Sequence, residues 1–500
     1  MAREHDIPKE TLTRRSLLQS AGLIMAAAAI PSWSAQAEKT TLTVAATSQD
    51  SIMNQLSAYM GEAGDRPLPA EVEEKTKQHI LDTIAAMVSG INLLPAQVAL
   101  KFARAYGGEP IATVVASNVR CGPIEAAIAN GMLAHSDETD DSHAPSQSHP
   151  GCGIVPAALA AGEKFNISGS RFVRAVALGY DIGTRVAMTL GGLPYQTKTS
   201  RDTHSITNTF GASAAAGCAA GLSAQQMRWV LDYAAQQASG IAAWNRDTQH
   251  IEKSLVYGGF PARNGVTTAL LIQLGGTGVD DIFSGSDNFL MAFAPNADPA
   301  GLIDKLGVRY EVTRTNIKKW SVGSPMQASL DALQLIMKQH PFDADQLKEM
   351  VIRVNPDEAH IVNNRDMPDI CMQHLMSVML IDKGLTFKTA HDKARMQAPA
   401  VLAVRSKVHL VPDEALMRLY PARVAIVEVT LNNGEHFTQR IDAVSGSAQN
   451  PMTHDELASK CRDLMTPILG SAQCGRLIDA VFNIESMHDI RALSPLLQRS

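Results

Sequence analysis

Three histidines and four carboxylates fall within fifteen residues, in the run His135-Ser-Asp-Glu-Thr-Asp-Asp-Ser-His143 and the following Ser148-His149-Pro150-Gly151. A metal ion is one chemistry such a run suggests, but the spacing matches neither the EF-hand nor the H-E-x-x-H pattern, so no metal is expected. Acid–base chemistry fits better, because crowded carboxylates and imidazoles in a pocket wall perturb one another's proton affinity. A solvated acidic loop is the plain alternative. Against it, the run directly follows an apolar stretch, Ile124 to Leu133, and a polar loop at the end of a buried helix suits a pocket.

Three further groups carry chemistry. Arg201-Asp-Thr-His204 stands just before a Gly/Ala-rich helix expected over 210–221; a lone histidine such as His204 is more often structural than catalytic. His250-Ile-Glu-Lys253 runs on through Tyr257-Gly258-Gly259 to Arg263-Asn264-Gly265, where the glycines permit close backbone approach and Lys253 and Arg263 suit carboxylates. A turn with solvated charges is its alternative. Ile317-Lys318-Lys319-Trp320 is a basic step ahead of a helix, whose N-terminus itself favours an anion.

The elements that must position these groups divide the chain by texture. From Pro69 to Ser89 the apolar positions Val72, Ile80, Ile84, Met87 and Val88 recur at helical spacing, with Gly90 beyond the end. Ala-rich helices are expected over 154–165, over 170–190 with Ser168 or Ser170 as cap, over 210–221, and over 224–238 capped by Ser223. Met350-Val-Ile-Arg-Val354 and Val424 to Leu431 are β-rich, and Asn433-Gly434 before His436-Phe-Thr-Gln-Arg440 signals a hairpin. After Pro451 the helical pattern returns, with Leu457, Cys461 and Leu464 on one face. The expected fold is mainly α: a helical domain over 38–304, a smaller α+β domain over 305–450, and C-terminal helices over 451–500 that rejoin the helical domain, making it discontinuous.

At 500 residues and 45% apolar the chain is long enough for more than one packed domain and too apolar for disorder. Its net charge of −6 and the absence of a basic run beyond the N-terminus argue against a nucleic-acid partner. Residues 1–37 read as a twin-arginine export signal: Arg14-Arg15, an uncharged run from Gln19 to Ile30, and Ala35-Gln36-Ala37 before the cut. The uncharged run is too short to span a membrane, so a protein exported folded to the periplasm, with no membrane segment and a net charge of −7, is expected. The six cysteines are dispersed without a C-x-x-C pair, so neither an iron–sulfur centre nor a disulfide is expected.

In this order the four groups resemble the MmgE/PrpD family. The resemblance starts at Leu68-Pro69 and rests on Asn130-Gly131 leading through His135 to Glu138, Asp140-Asp141-Ser142 and His149-Pro150. It continues in Gly179-Tyr180-Asp181 with Arg185, His204, Lys253 with Gly258-Gly259, Lys318-Lys-Trp, and Asn450-Pro451-Met-Thr. It implies a helical domain with an α+β lid and a site between them. It also implies a cofactor-independent lyase or isomerase that removes a proton α to a carboxylate of a small di- or tricarboxylic acid: a hydro-lyase resembling methylcitrate dehydratase, or an epimerase. On matching positions Glu138, Ser142, His149, His204, Lys253, Lys318 and His374 fall in the site, with His149 and His204 as acid and base candidates and Lys253, Lys318, Ser142 and His374 binding substrate. Read from the residues themselves, Asp141 joins Glu138 in orienting the histidines and Arg263 joins the lysines in binding carboxylate. Gly323 and His374 stand where the family's decarboxylases place a histidine and a tyrosine. A homodimer is the expected assembly. A carboxylate-binding protein without turnover and a metal-dependent hydrolase are the two rivals.

Overall fold

The computed structural model describes residues 51–499, so the expected export signal at 1–37 lies outside the described residues. Six helices build the surroundings of the polar run: α1 (Ala70–Gly90), α2 (Pro123–Ala134), α3 (Gly151–Phe165), α4 (Gly169–Leu190), α5 (Thr203–Ala219) and α6 (Phe260–Gln273). Proline at the first position starts α2, where a missing N–H costs nothing. Ser168 caps α4 through the Arg171 N–H, and Gly191, at φ +116°, ends it. Ser223 and Gln226 form a reciprocal capping box on the helix Ala224–Gln237.

Small residues let these helices press together. A Cβ on Gly179 of α4 would stand 2.5 Å from Ile154 of α3 and 2.8 Å from the carbonyl of Gly211 in α5. The composition rich in Ala and Gly is therefore a packing requirement, since any larger residue at such a crossing drives backbones apart. One helix departs from expectation. α5 starts at Thr203, seven residues before 210, because the Asp202 carboxylate caps the N–H groups of His204 and Ser205. His204 thus sits in the first helical turn and not in a preceding loop.

Beyond residue 320 a second apolar cluster forms around the helices α7 (Gln327–Gln339) and α8 (Met372–Asp382) and a four-stranded sheet. The strands are β1 (Leu347–Val354), β2 (Val408–Pro412), β3 (Ala425–Leu431) and β4 (His436–Ile441), in the order β2-β1-β3-β4. The β1–β2 pair is parallel, with Met350 opposite Val408, and the other two pairs are antiparallel. Along β3 buried and half-buried residues alternate, which lays Ala425, Val427 and Val429 on the helices. The hairpin turns at Gly434, whose φ of +90° suits glycine.

The chain then returns. Leu457, Cys461 and Leu464 of α9 (His454–Leu469) share the apolar core of α1 with Ile80 and Ile84. All six cysteines are buried and free. Among the described residues no single helix is long and apolar enough to cross a membrane.

Lys460 ties α9 to α1 by a buried ion pair with Asp82 at 2.5 Å and also donates to the Thr139 carbonyl. Lys460→Met leaves a buried carboxylate without its cation, so the variant should lose about 3–5 kcal/mol of stability in urea unfolding. Adding Asp82→Asn should recover part of that loss, because the uncompensated charge disappears with it.

Candidate active site

The loop from His135 to His149 links the end of α2 to the start of α3, and all its ionisable side chains are buried. Each carboxylate finds a different partner. Asp137 accepts from the Thr139 N–H and hydroxyl and meets His391 Nε2 at 2.7 Å. Glu138 binds the Lys253 ammonium, and Lys318 Nζ lies 3.6 Å from its other oxygen. Asp140 takes the His135 Nδ1 at 2.9 Å and stands 3.3 Å from His149 Nδ1. Asp141 takes His79 Nδ1 at 2.8 Å, the Tyr180 hydroxyl at 2.5 Å and the Gly151 N–H at 3.0 Å.

Backbone contacts bring the distant lysines in. Ser142 exchanges both main-chain hydrogen bonds with Asn316, and two residues later Lys318 donates to the Glu138 carbonyl at 2.6 Å. Lys253 follows His250, a left-handed residue at φ +62°, and precedes a single π-helical turn, Leu255–Gly259. Gly258 of that turn lies against Gly131 of α2, where a Cβ has no room. His204 is aimed by Asp202, whose Oδ1 sits 3.0 Å from its Nδ1 and leaves the far ring nitrogen for chemistry. Its ring stacks on Tyr257 at 3.9 Å and neighbours His149 at 5.4 Å.

His149, His204, Lys253, Lys318 and Glu138 therefore share one buried cluster, though they span 180 residues of sequence. The electrostatics follow from burial. Desolvation lowers the proton affinity of His135, His149 and His204, opposed by Asp140 for the first two and by Asp202 for the third. His250, buried beside Lys253, falls to about 3. For Glu138 burial would raise the pKa, but Lys253 and Lys318 overcome it and hold the carboxyl well below its usual range. The cluster thus offers neutral imidazoles next to ammonium groups, the arrangement of a proton-abstracting site that binds anions.

Other candidates lie elsewhere. Asp141 serves His79 and Tyr180 in place of the site histidines; the neighbouring Asp140 binds His135 and stands beside His149. Arg263 places its guanidinium over the Phe260 ring, 4.6 Å away, and on the Asn264 amide oxygen, not on the cluster. His374 is buried on α8 within the α+β core, where burial and the nearby Arg405 and Arg395 lower its pKa to about 4. Ser142 contributes its backbone to the Asn316 bridge. His135, Asp140, Asp202, His250 and Tyr257 join the cluster without having been singled out as site residues; the acidic caps and the run of histidines are the signals that point to them.

Two sets of donor atoms come within 4.8 Å of one another, His135 with Asp140 and His149, and His135 with Glu138 and His250. In both sets the carboxylate is already engaged, by an imidazole in one and by an ammonium in the other.

The family model for the MmgE/PrpD N-terminal domain matches residues 54–301, and that for the C-terminal domain matches 320–484. The chain belongs to the MmgE/PrpD family. Within it, the chain is similar to a cis-aconitate decarboxylase of Homo sapiens, 26% identical over 452 residues that cover 86% of this chain and 91% of that protein. It is also similar to a cis-aconitate decarboxylase-like protein of Aspergillus oryzae, 25% identical over 481 residues covering 90% and 98%.

His391 gives the cluster a measurable pH signature. Burial alone would lower its pKa, but Asp137 outweighs that and raises it to about 9. A raised value stabilises the fold fully below the unfolded pKa of about 6.5, and the stabilisation is lost as pH climbs through 9. Equilibrium unfolding should therefore show roughly 3 kcal/mol of this loss between pH 6.5 and 10. In His391→Gln that pH dependence should vanish.

Proposed function

We propose that the protein is a cofactor-independent lyase or isomerase that removes a proton α to a carboxylate of a small di- or tricarboxylic acid. One observation carries it: Lys253 and Lys318 converge on a single buried carboxylate, Glu138, beside His204, whose Nδ1 is held by Asp202, and His149, whose Nδ1 lies 3.3 Å from Asp140. A carbon acid of this kind is weak, so its ionisation needs positive charge on the carboxylate and a neutral base within reach. The lysines supply the charge by exchanging Glu138 for a substrate carboxylate. An imidazole supplies the base. His149 and His204 each stand beside a buried carboxylate, so either takes the proton while the other serves the opposite face of the substrate.

Loss of the neighbouring hydroxyl then completes a dehydration, and return of the proton to carbon completes an epimerisation. Gly323 and His374 differ from the histidine and tyrosine of the decarboxylase pattern, which favours these outcomes over loss of carbon dioxide. The Arg14-Arg15 pair and the Ala35-Gln36-Ala37 site support export of the folded enzyme to the periplasm, to be tested by cell fractionation.

Incubation with a panel of di- and tricarboxylic acids in heavy water, cis-aconitate included, tests the proposal. The expected result is deuterium at carbon α to a carboxylate, with product formation for at least one acid. Tight binding without exchange would point instead to a carboxylate-binding protein. Chelation is expected to leave turnover unchanged, and a stoichiometric metal lost together with activity would favour a hydrolase. With a substrate in hand, Lys253→Met should raise KM and lower kcat together, by a few kcal/mol in kcat/KM. His204→Gln should cut kcat by roughly two to four orders of magnitude at nearly constant KM.

A further inference from the structure

The middle of the imidazole set is occupied by Tyr257. Its ring stacks on His204 with centroids 3.9 Å apart and planes 9° from parallel, and lies 4.7 Å from His135 and 5.8 Å from His149. Trp244 closes the far edge, T-shaped at 5.0 Å, and Lys253 Nζ stands 5.4 Å from both aromatic rings. The side chain is buried, yet its hydroxyl makes no hydrogen bond to any protein group. Leaving a hydroxyl so placed without a partner costs about 1–3 kcal/mol. Such a group is met by water or by a bound species.

The backbone that delivers this ring is unusual in the same place. Tyr257 is the central residue of the π-helical turn, closed by the Phe260 N–H on the Leu255 carbonyl. A π turn holds one residue more than the α-helical path and is frequent where a side chain is pushed into a site. It is pinned on two sides. Gly258 has backbone of Gly131 where a side chain would stand. The Asn208 amide donates at 2.9 Å both to the Tyr257 carbonyl and to the His149 carbonyl, tying the backbone of the turn to that of one of the candidate acid–base residues. The ring is therefore fixed among His135, His149, His204 and Lys253, with its hydroxyl free of protein acceptors.

We propose that Tyr257 is a further residue of the reaction, its phenol donating a hydrogen bond to the substrate oxygen on which negative charge develops when the α-proton leaves. This rests on the carboxylate-acting function above and adds to it a donor that the histidines cannot provide. His149 and His204 are neutral bases, and the lysines are point charges; a directional, uncharged donor is what a developing aci-carboxylate lacks. Burial and the carboxylates of Asp202 and Glu138 push the phenol pKa well above 10, so it stays protonated and donates without transferring its proton. No bond is made or broken at the tyrosine. Its second effect is on His204, whose imidazole it shields from water by stacking.

The test compares Tyr257→Phe and Tyr257→Leu with the native protein, using α-proton exchange in heavy water over the carboxylic-acid panel, with thermal unfolding as the fold check. Tyr257→Phe keeps the stacked ring and loses only the hydroxyl. It should slow exchange about 10- to 100-fold, with KM little changed and the acidic limb of the pH–rate profile unmoved. Tyr257→Leu should lose a similar factor and also shift that limb to higher pH, because His204 becomes better hydrated and its pKa rises toward 6.5. The limb shift separates a residue acting in the site from one that merely supports the fold. Either variant, if folded and exchanging at the native rate, overturns the proposal. A native protein that exchanges no acid in the panel overturns the carboxylate-acting function itself, and this role with it.

Discussion

Burying four carboxylates in one short loop is the constraint on which the rest of the structure depends. An isolated buried carboxylate costs several kcal/mol, so Asp137, Glu138, Asp140 and Asp141 are tolerated there only if each is met by donors or cations. The loop itself offers Thr139 to Asp137 and the imidazoles of His135 and His149 to Asp140. The remaining partners come from afar: His79 and Tyr180 from two helices of the core, Lys253 from beside the π turn, Lys318 from the segment before α7, His391 from the α+β unit. Assembly of the site and closure of the fold are accordingly one event. Lys460 extends the pattern, since it meets Asp82 and the Thr139 carbonyl together.

This arrangement also explains why the helices around the loop are built from small residues. Bringing a π turn and three helix ends to one point requires backbones in direct contact, and Gly131 against Gly258, with Gly179 against Gly211, provides it. The same close approach buries the imidazoles of His135, His149 and His204, and that burial lowers their proton affinity.

Much of this was legible in the residues. The Gly/Ala stretches announce tight helices, Asn433-Gly434 announces the hairpin, and the crowding of acids and histidines after an apolar helix marks the buried cluster. What periodicity cannot supply is the facing of a loop that has none. Asp140 and Asp141 are indistinguishable in sequence, yet a single step of backbone sends one to His149 and the other to His79. Long-range pairing is equally hidden: nothing near His391 signals that it meets Asp137, more than 250 residues earlier. The π turn escaped because a helical pattern with one extra residue looks like any helix start, and Asp202, read as part of a loop, acts as the cap that pulls His204 into α5.

The central claim is that burial lowers the proton affinity of the His135, His149, His204 and His250 imidazoles beside the ionised Glu138 and Asp140, while Asp137 keeps His391 charged. A residue-resolved NMR titration of the histidine ring protons measures this directly. The account predicts that His135, His149, His204 and His250 titrate below the ordinary histidine value, while His391 stays protonated until about pH 9. Titration of all five near pH 6.5, as in exposed histidines, would contradict it.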